Sequence, residues 1–250
     1  MRDSIIGIIK QRERAANGEV DNFGTDFLGL LMKANHDADE DNRITVDEVA
    51  DECKNFYFAA HETTATLLSW TILLLAIHTD WQEKARQEVL KLFGQQHPNS
   101  EGIGRLKMMN MIINESLRLY PPVIALLRKV KCAVKLGNFI LPFNTNLNIP
   151  TLAFHHDPQL WGEDVNLFKP ERFSEGVAKA TNNNPAAFQT FGLGPRICVG
   201  MNFANNEAKI ALSMLLQRYT FTLSPAYIHS PVHMLMVRPQ HGVQVILHAL

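Results

Sequence analysis

Cysteine is scarce in this chain. Its 250 residues hold three, Cys53, Cys132 and Cys198, far apart and with no C-x-x-C pair. That excludes a disulfide framework and a cysteine zinc cluster, and it fits a reducing compartment or a cytosolic face. Charge of one sign is also missing: 24 Lys and Arg stand against 25 Asp and Glu, for a formal net charge of −1. No basic footprint points to nucleic acid. A membrane span calls for about 18 or more consecutive apolar residues, and no such run exists. The best stretch, Leu67 to Ile77, is shorter and sits inside a polar-flanked helix. Met1 is followed by Arg2 and Asp3, without the charged and apolar regions of a signal peptide. No internal repeat is visible, and the Asn182-Asn183-Asn184 run reads as a solvated loop. What remains is ordinary globular composition, 46% hydrophobic and 20% charged, enough for one large domain or two small ones.

The first half has helical periodicity. Residues 2–16 are amphipathic, and Gly18 is expected to end that helix. A shorter helix covers Asp26 to Ala34. The acidic stretch His36 to Asn42 lacks the glycine and terminal glutamate of a calcium loop and reads as a solvated linker. Thr45-Val-Asp-Glu48 is a capping box, with Ile44 and Val49 as its hydrophobic staple. It opens a long helix over about 46–78. Thr79 with Gln82 resembles a second capping box, for a helix ending at Gly94. A further helix over about 106–119 is stopped by Pro121 and Pro122. Lys129 to Pro150 then alternates as β-structure, with Gly137 and Asn144 at turns. Residues 151–190 are loop-rich, and a helix follows over about 201–218. Strands are expected at 219–223 and in a C-terminal hairpin over about 232–248, turning at Pro239 to Gly242. The fold class is mainly α with small peripheral β-sheets.

The stretch FGLGPRICVG, residues 191–200, surrounds Cys198 with three glycines, a proline and an arginine. Gly192 and Gly194 permit backbone angles or close approaches that a Cβ forbids. The helix that follows brings its N-terminal N–H groups and positive dipole end to the sulfur, which favours thiolate. Gly200 leaves a flat, open surface beside it. A thiolate over a cleared surface suits a planar metal macrocycle, and Arg196 can pair with an anionic edge of that cofactor. A cysteine nucleophile with a partner among the ten histidines, or a structural cysteine, are the rival readings of these residues.

Phe191-x-x-Gly194-x-Arg196-x-Cys198-x-Gly200 resembles the haem-binding signature of the cytochrome P-450 family, the haem-thiolate monooxygenases. Chance produces five such positions on the order of once in ten thousand chains of this size, so the match outweighs the lone-cysteine readings. The resemblance implies that Cys198 is the axial ligand of haem b (iron protoporphyrin IX) iron, where thiolate ligation favours O–O cleavage. It sets Phe191 beside the sulfur and Arg196 on a haem propionate, and counts Gly192 and Gly200 as part of the haem cradle.

Three further stretches extend the resemblance. Glu115-Ser-Leu-Arg118 matches the family's E-x-x-R helix; alone it is a common surface ion pair, but Tyr120-Pro-Pro122 follows and Phe168-x-Pro-Glu-Arg172-Phe lies downstream, as in the family. There Glu115, Arg118 and Arg172 form a buried structural triad. Ala59-Ala-His-Glu-Thr-Thr64 fails as a zinc-protease motif, because position 65 is Ala65 rather than histidine. Helical spacing puts Ala59, Ala60 and Thr63 on one face, and Thr63 can bond back to the Ala59 carbonyl. The stretch resembles the family's oxygen-activating motif, with Glu62 and Thr63 relaying protons. The family most often has glycine where this chain has Ala60, and a methyl there narrows the groove over the haem. Arg128 matches a second propionate contact. Val123, Ile124, Ala125, Leu126 and Leu127 would line the substrate pocket, with Phe58 and Ala59 opposite; a core strand is the plain alternative for that run. His155-His156 is no metal pair, since adjacent side chains diverge.

The resemblance covers the C-terminal half of a typical member, so a partial single domain is expected, without the membrane anchor and the early helices over the haem. Large apolar side chains left uncovered each forfeit about 1.5–3 kcal/mol against total stabilities of about 5–15, so weak folding and weak haem retention are expected of the isolated chain. The implied activity is insertion of one oxygen atom of O2 into a hydrophobic small molecule, with electrons from NADPH through NADPH-cytochrome P-450 reductase and with no nucleic-acid partner. The family setting is the cytosolic face of the endoplasmic reticulum membrane; without an anchor the chain alone would be cytosolic. The wording of the cysteine loop and of the final HSPVHMLMVRPQHG is similar to a plant clan acting on isoprenoid and triterpenoid substrates. A thiolate-haem hydroperoxide isomerase or dehydratase, and a truncated remnant that holds no haem, are the alternatives.

Overall fold

The computed structural model describes residues 1–17 and 19–250, so the helix end expected at Gly18 lies outside the described residues. The chain divides into two compact units, Met1–Glu62 and Thr63–Leu250.

The first unit holds α1 (Arg2–Ala16), α2 (Phe27–Asn35) and the first half of α3 (Val46–Ile77). Asn17 adopts a left-handed conformation, φ 51°, after α1, the conformation that commonly closes a helix. Asp26 caps α2 by accepting from the Gly29 N–H at 2.8 Å. The capping box at α3 is complete: Glu48 Oε2 accepts from the Thr45 N–H at 2.7 Å, and Thr45 Oγ1 accepts from the Glu48 N–H at 3.2 Å. The staple closes as well, with Val49 buried in a small core beside Ile9, Phe23 and Met32, and Ile44 packed on that core. The 36–42 linker is exposed and satisfies its own backbone through Asp37 and Asp39.

The second unit continues along α3 to α4 (Thr79–Phe93), α5 (Ser100–Arg105) and α6 (Lys107–Leu119). By length and hydropathy α3 could cross a membrane, yet half of its most apolar window is buried within the protein, as in a core helix. The capping box expected at Thr79 does not form. Thr79 is already helical, and Gln82 turns inward, where its Nε2 donates to the carbonyls of Leu75 and Phe221 and its Oε1 accepts from the Phe221 N–H. A buried sheet edge outcompetes the local cap, because the Phe221 backbone has no water to bond.

Past α6, β1 (Leu126–Lys129) pairs antiparallel with β4 (Asn146–Ile149), and between them β2 (Val134–Leu136) and β3 (Phe139–Leu141) form a hairpin. Gly137 and Asn144 take positive φ at the two turns. Three short helices follow, α7 (Thr151–His155), α8 (Pro158–Trp161) and α9 (Val177–Ala180), and then α10 (Met201–Leu216). The core joins α3, α4, α6 and α10 through Leu75, Val89, Ile112, Ile113, Leu212 and Leu216.

The tail departs from the single hairpin expected over 232–248. β6 (Pro231–His233) turns back at once onto β7 (Val237–Pro239), and β8 (Val245–Ala249) pairs instead with β5 (Tyr219–Leu223), Phe221 facing Leu247. Alternation identifies a strand but not its partner. Here the partner is set by the fully buried Phe221, which fixes β5 in the core and leaves β8 to complete it.

Candidate active site

The cysteine loop is built by its glycines. Gly192 and Gly194 sit at φ +78° and +77°, angles that favour glycine. The loop is closed by the Cys198 N–H donating to the Phe191 carbonyl at 2.8 Å and the Ile197 N–H donating to Gly194 at 3.0 Å. Gly200 is the N-cap of α10 and offers no side-chain cap. A Cβ on Gly200 would have one non-neighbouring atom within 4 Å, the Cys198 Sγ at 3.9 Å, and a Cβ on Gly194 would meet nothing. The sulfur therefore lies at an open helix N-terminus, exposed. Ile197 and Val199 flank it and are exposed too, Val199 to 84%.

Leu126 and Arg128 reach this loop. A Cβ on Gly192 would sit 3.9 Å from both the Leu126 Cδ1 and the Arg128 Nη2. The pleat of β1 puts them on one face and Leu127 on the other, exposed. That corrects the reading of 123–127 as one lining surface: side chains alternate along a strand, so Leu127 does not share the face of Leu126. Val123, Ile124 and Ala125 are half-buried before the strand begins, and Arg196 is exposed.

Behind the loop lies a buried charge cluster. Glu115 and Arg118, both fully buried, form a two-pronged pair with both bonds at 2.8 Å. Arg172 Nε lies 3.5 Å from Glu115 Oε1, while its other nitrogens bond the Trp161 carbonyl and Asp164. The Lys169 N–H also donates to Glu115 at 2.9 Å. Asp164 is held at about 2 by hydrogen bonds from Lys169 and Arg172.

The link from cluster to loop is His155. Its carbonyl accepts from Arg118 Nη1 at 2.9 Å, and its Nε2 accepts from the Gln189 N–H at 3.1 Å, two residues before Phe191. The ring proton is then on Nδ1, which is buried and has no hydrogen-bond partner among the described residues. Burial, with the Arg118 charge adding, pushes the imidazole down to about 3, so it stays neutral. His156 turns away to the Leu119 carbonyl. The sequence marks the His-His pair but gives no sign of the Gln189 contact, which joins residues 34 positions apart.

The sequence profile of the cytochrome P-450 family matches residues 1–247. The chain belongs to this family. Its relatives include a cytochrome P-450 of Panax ginseng, CYP749A22, 68% identical over 99% of this chain and 48% of that protein. An 11-oxo-beta-amyrin 30-oxidase of Glycyrrhiza uralensis is 51% identical over the whole chain and 49% of that protein. The chain thus spans about half the length of the curated relatives it matches. A solved structure of a cyanobacterial P-450, CYP120A1 with retinoic acid bound, aligns with a TM-score of 0.86 at 32% identity, covering all of this chain and 55% of that one. The fold is accordingly that of part of a P-450.

The donor set fits the family's haem. Among the described residues no three His, Cys, Asp or Glu side chains are placed to hold a metal ion, and Cys198 is the exposed sulfur donor of the loop. The open thiol, the space at Gly194 and Gly200, and the exposed apolar flanks suit a flat macrocycle. On α3, Phe58, Ala59 and Ala60 are exposed and Glu62 is half-buried at the end of the first unit, its Oε1 3.7 Å from His61 Nδ1. Thr63 opens the second unit, half-buried. Its neighbour Thr64 is buried, and its Oγ1 has no hydrogen-bond partner among the described residues.

Proposed function

We propose that this chain carries the haem-thiolate centre of a monooxygenase, with Cys198 as the axial ligand of haem b. The open Cys198 thiol at the uncapped N-terminus of α10 carries the reading. Bound haem supplies the dioxygen chemistry by which one oxygen atom enters an organic substrate. The chain's own residues do the rest. Cys198 would hold the iron just before the uncapped N-terminus of α10, while Phe191 and Gly192 shape the loop around it. Gly200 would leave room for the macrocycle beside the cysteine, Ala59 and Ala60 are the positions on α3 that match the family's motif, and Arg128 and Arg196 would hold its carboxylates. Glu62 would hold a proton and Thr63 would pass it on. Val123, Ile124, Ala125 and Leu126 would line the apolar side of the site, and Phe58 is the position on α3 that the resemblance adds to them. Glu115, Arg118 and Arg172 keep the loop in place.

The substrate is an apolar terpenoid, a reading supported by the relatives named 11-oxo-beta-amyrin 30-oxidase in Glycyrrhiza uralensis and Medicago truncatula. Electrons come from NADPH through NADPH-cytochrome P-450 reductase, at the cytosolic face of the endoplasmic reticulum membrane. The hydroperoxide isomerase and the haem-free remnant are not favoured, since the relatives are named as oxidases and P-450s. The carbon monoxide difference spectrum of the reduced, haem-supplied chain tests the assignment. A far-red-shifted Soret band is expected, and Cys198→Ala is expected to lose it. A band that survives Cys198→Ala overturns the ligand assignment.

A further inference from the structure

The imidazole of His155 is fully buried, yet only one of its two nitrogens is satisfied. Its Nε2 lies 3.1 Å from the Gln189 backbone nitrogen. A backbone N–H can only donate, so Nε2 carries the lone pair and Nδ1 carries the proton. That Nδ1–H has no hydrogen-bond partner among the described residues. An unpaired donor in the interior costs stability, and an apolar side chain of similar size would avoid that cost. What only the imidazole offers here is the acceptor at Nε2.

That acceptor stands in a continuous line from the charge cluster to the cysteine. Arg118 Nη1 donates to the His155 carbonyl at 2.9 Å. The His155 ring lies 5.4 Å from that of Phe188, which packs on both cores of the second unit. Backbone and ring are thereby held, and Nε2 is aimed at Gln189. The Gln189 carbonyl accepts in turn from the Gly192 N–H at 3.1 Å, and Phe191, between them, accepts from the Cys198 N–H at 2.8 Å. Gln189 is therefore tied to His155 through its N–H and to the cysteine loop through its C=O. Apolar packing is the other hold on this segment, since Phe188 and Phe191 both pack on the main core. Packing is non-directional and sets depth, whereas a hydrogen bond sets direction and register.

We propose that His155 is the positioning residue of Cys198: its Nε2 lone pair, held between Arg118 and Phe188, fixes the Gln189 backbone and so the place from which the sulfur meets iron. The inference rests on the haem-thiolate reading above for what Cys198 holds, but not for how the loop is placed.

Amide hydrogen exchange of the haem-free chain, read with the carbon monoxide difference spectrum of the haem-supplied chain, tests it. His155→Leu keeps the bulk and removes the acceptor. His155→Gln carries an oxygen as far along the side chain as Nε2, and His155→Asn carries it one bond shorter. Val89→Ala weakens the main core without touching this line. In His155→Leu and His155→Asn, the Gln189 and Gly192 amides are expected to exchange on the order of tenfold faster relative to those of α10. The far-red-shifted share of the Soret band is expected to fall in both at equal haem loading. His155→Gln is expected to restore the exchange ratio and the band, and Val89→Ala to change neither. Should His155→Leu fail to fold, the comparison of asparagine with glutamine decides alone. Three outcomes overturn the proposal. His155→Leu exchanges at Gln189 and Gly192 as the wild type does, which leaves the loop to apolar packing. His155→Asn and His155→Gln behave alike, or Val89→Ala reproduces the changes, which reduces His155 to a contributor to general stability. A wild type with no far-red band overturns the haem-thiolate reading instead, while the exchange ratios still decide whether His155 places the loop.

Discussion

His155 is where one side chain has the widest consequences. It is neutral and fully buried, and it ties the Glu115–Arg118 pair to the chain entering the cysteine loop. Its value of about 3 lies far below the ordinary 6.5. The unfolded chain therefore takes up a proton at this position between about pH 6.5 and 3 while the folded chain does not. The stabilisation is full above about 6.5 and is lost as the pH falls toward 3, by up to about 1.4 kcal/mol per pH unit. His155→Gln keeps an acceptor for the Gln189 N–H and removes the titration. Urea unfolding between pH 7.5 and 4 should show a shallower loss for the variant than for the wild type. Equal slopes would assign the acid sensitivity to other groups. His155→Ala leaves the Gln189 N–H unpaired in the interior and is expected to cost about 1–3 kcal/mol at neutral pH. The same scale holds Gly192 and Gly194, whose positive φ explains two glycines that sequence alone only flags.

Elements in this chain are often finished by residues from elsewhere. The N-terminus of α6 has no cap of its own: Leu106 precedes it and supplies no side-chain bond. Glu88 on α4 takes its place, Oε1 accepting from the N–H groups of Lys107 and Met108 and Oε2 from that of Met109, at 2.7–3.0 Å. A carboxylate there satisfies three orphan donors and meets the positive end of the helix dipole. Glu88→Ala is expected to destabilise the chain by about 1–2 kcal/mol, read as a lower denaturant midpoint at unchanged slope. Glu88→Gln, which keeps an oxygen but loses the charge, should fall between. Gln82 does the reverse, leaving its own helix start to serve β5. Both residues look like ordinary helix-surface positions in the sequence.

At the scale of the molecule, the second unit carries most of the core, and Glu115 lies at its organising point. This carboxylate joins α6 to the backbone at Lys169 and to Arg172, while its partner Arg118 reaches His155 and Leu167. Phe168 ties the loop-rich 151–190 stretch to the main core, and a small second core with Leu160, Ala180 and Phe188 packed on it holds the rest. That second core is Trp161, Val165, Phe173 and Ala187 with Met111. The charge cluster joins them in fixing its course. Removing one partner of a buried pair strands the other, at about 3–5 kcal/mol, a large share of a total of about 5–15. Glu115→Ala is expected to abolish the cooperative unfolding transition. A sharp transition in that variant would show that the 151–190 segment is held by apolar packing alone.

The sequence by itself determined the longer helices but not the short ones at 100–105, 151–155, 158–161 and 177–180, together with the capping box at Thr45, the form of the Cys198 loop and the family to which these belong. Each rests on neighbours in the chain: periodicity, local caps, and the glycines at 192, 194 and 200 whose backbone angles are set within a few residues. Only the tertiary structure decided that β8 pairs with β5, that Glu88 caps α6, and that His155 holds the chain at Gln189. Those contacts join residues from 19 to 34 positions apart, or strands separated by a hairpin. Their partners are chosen by which buried donors and apolar faces would otherwise go unsatisfied, a competition settled by packing and invisible to any local pattern.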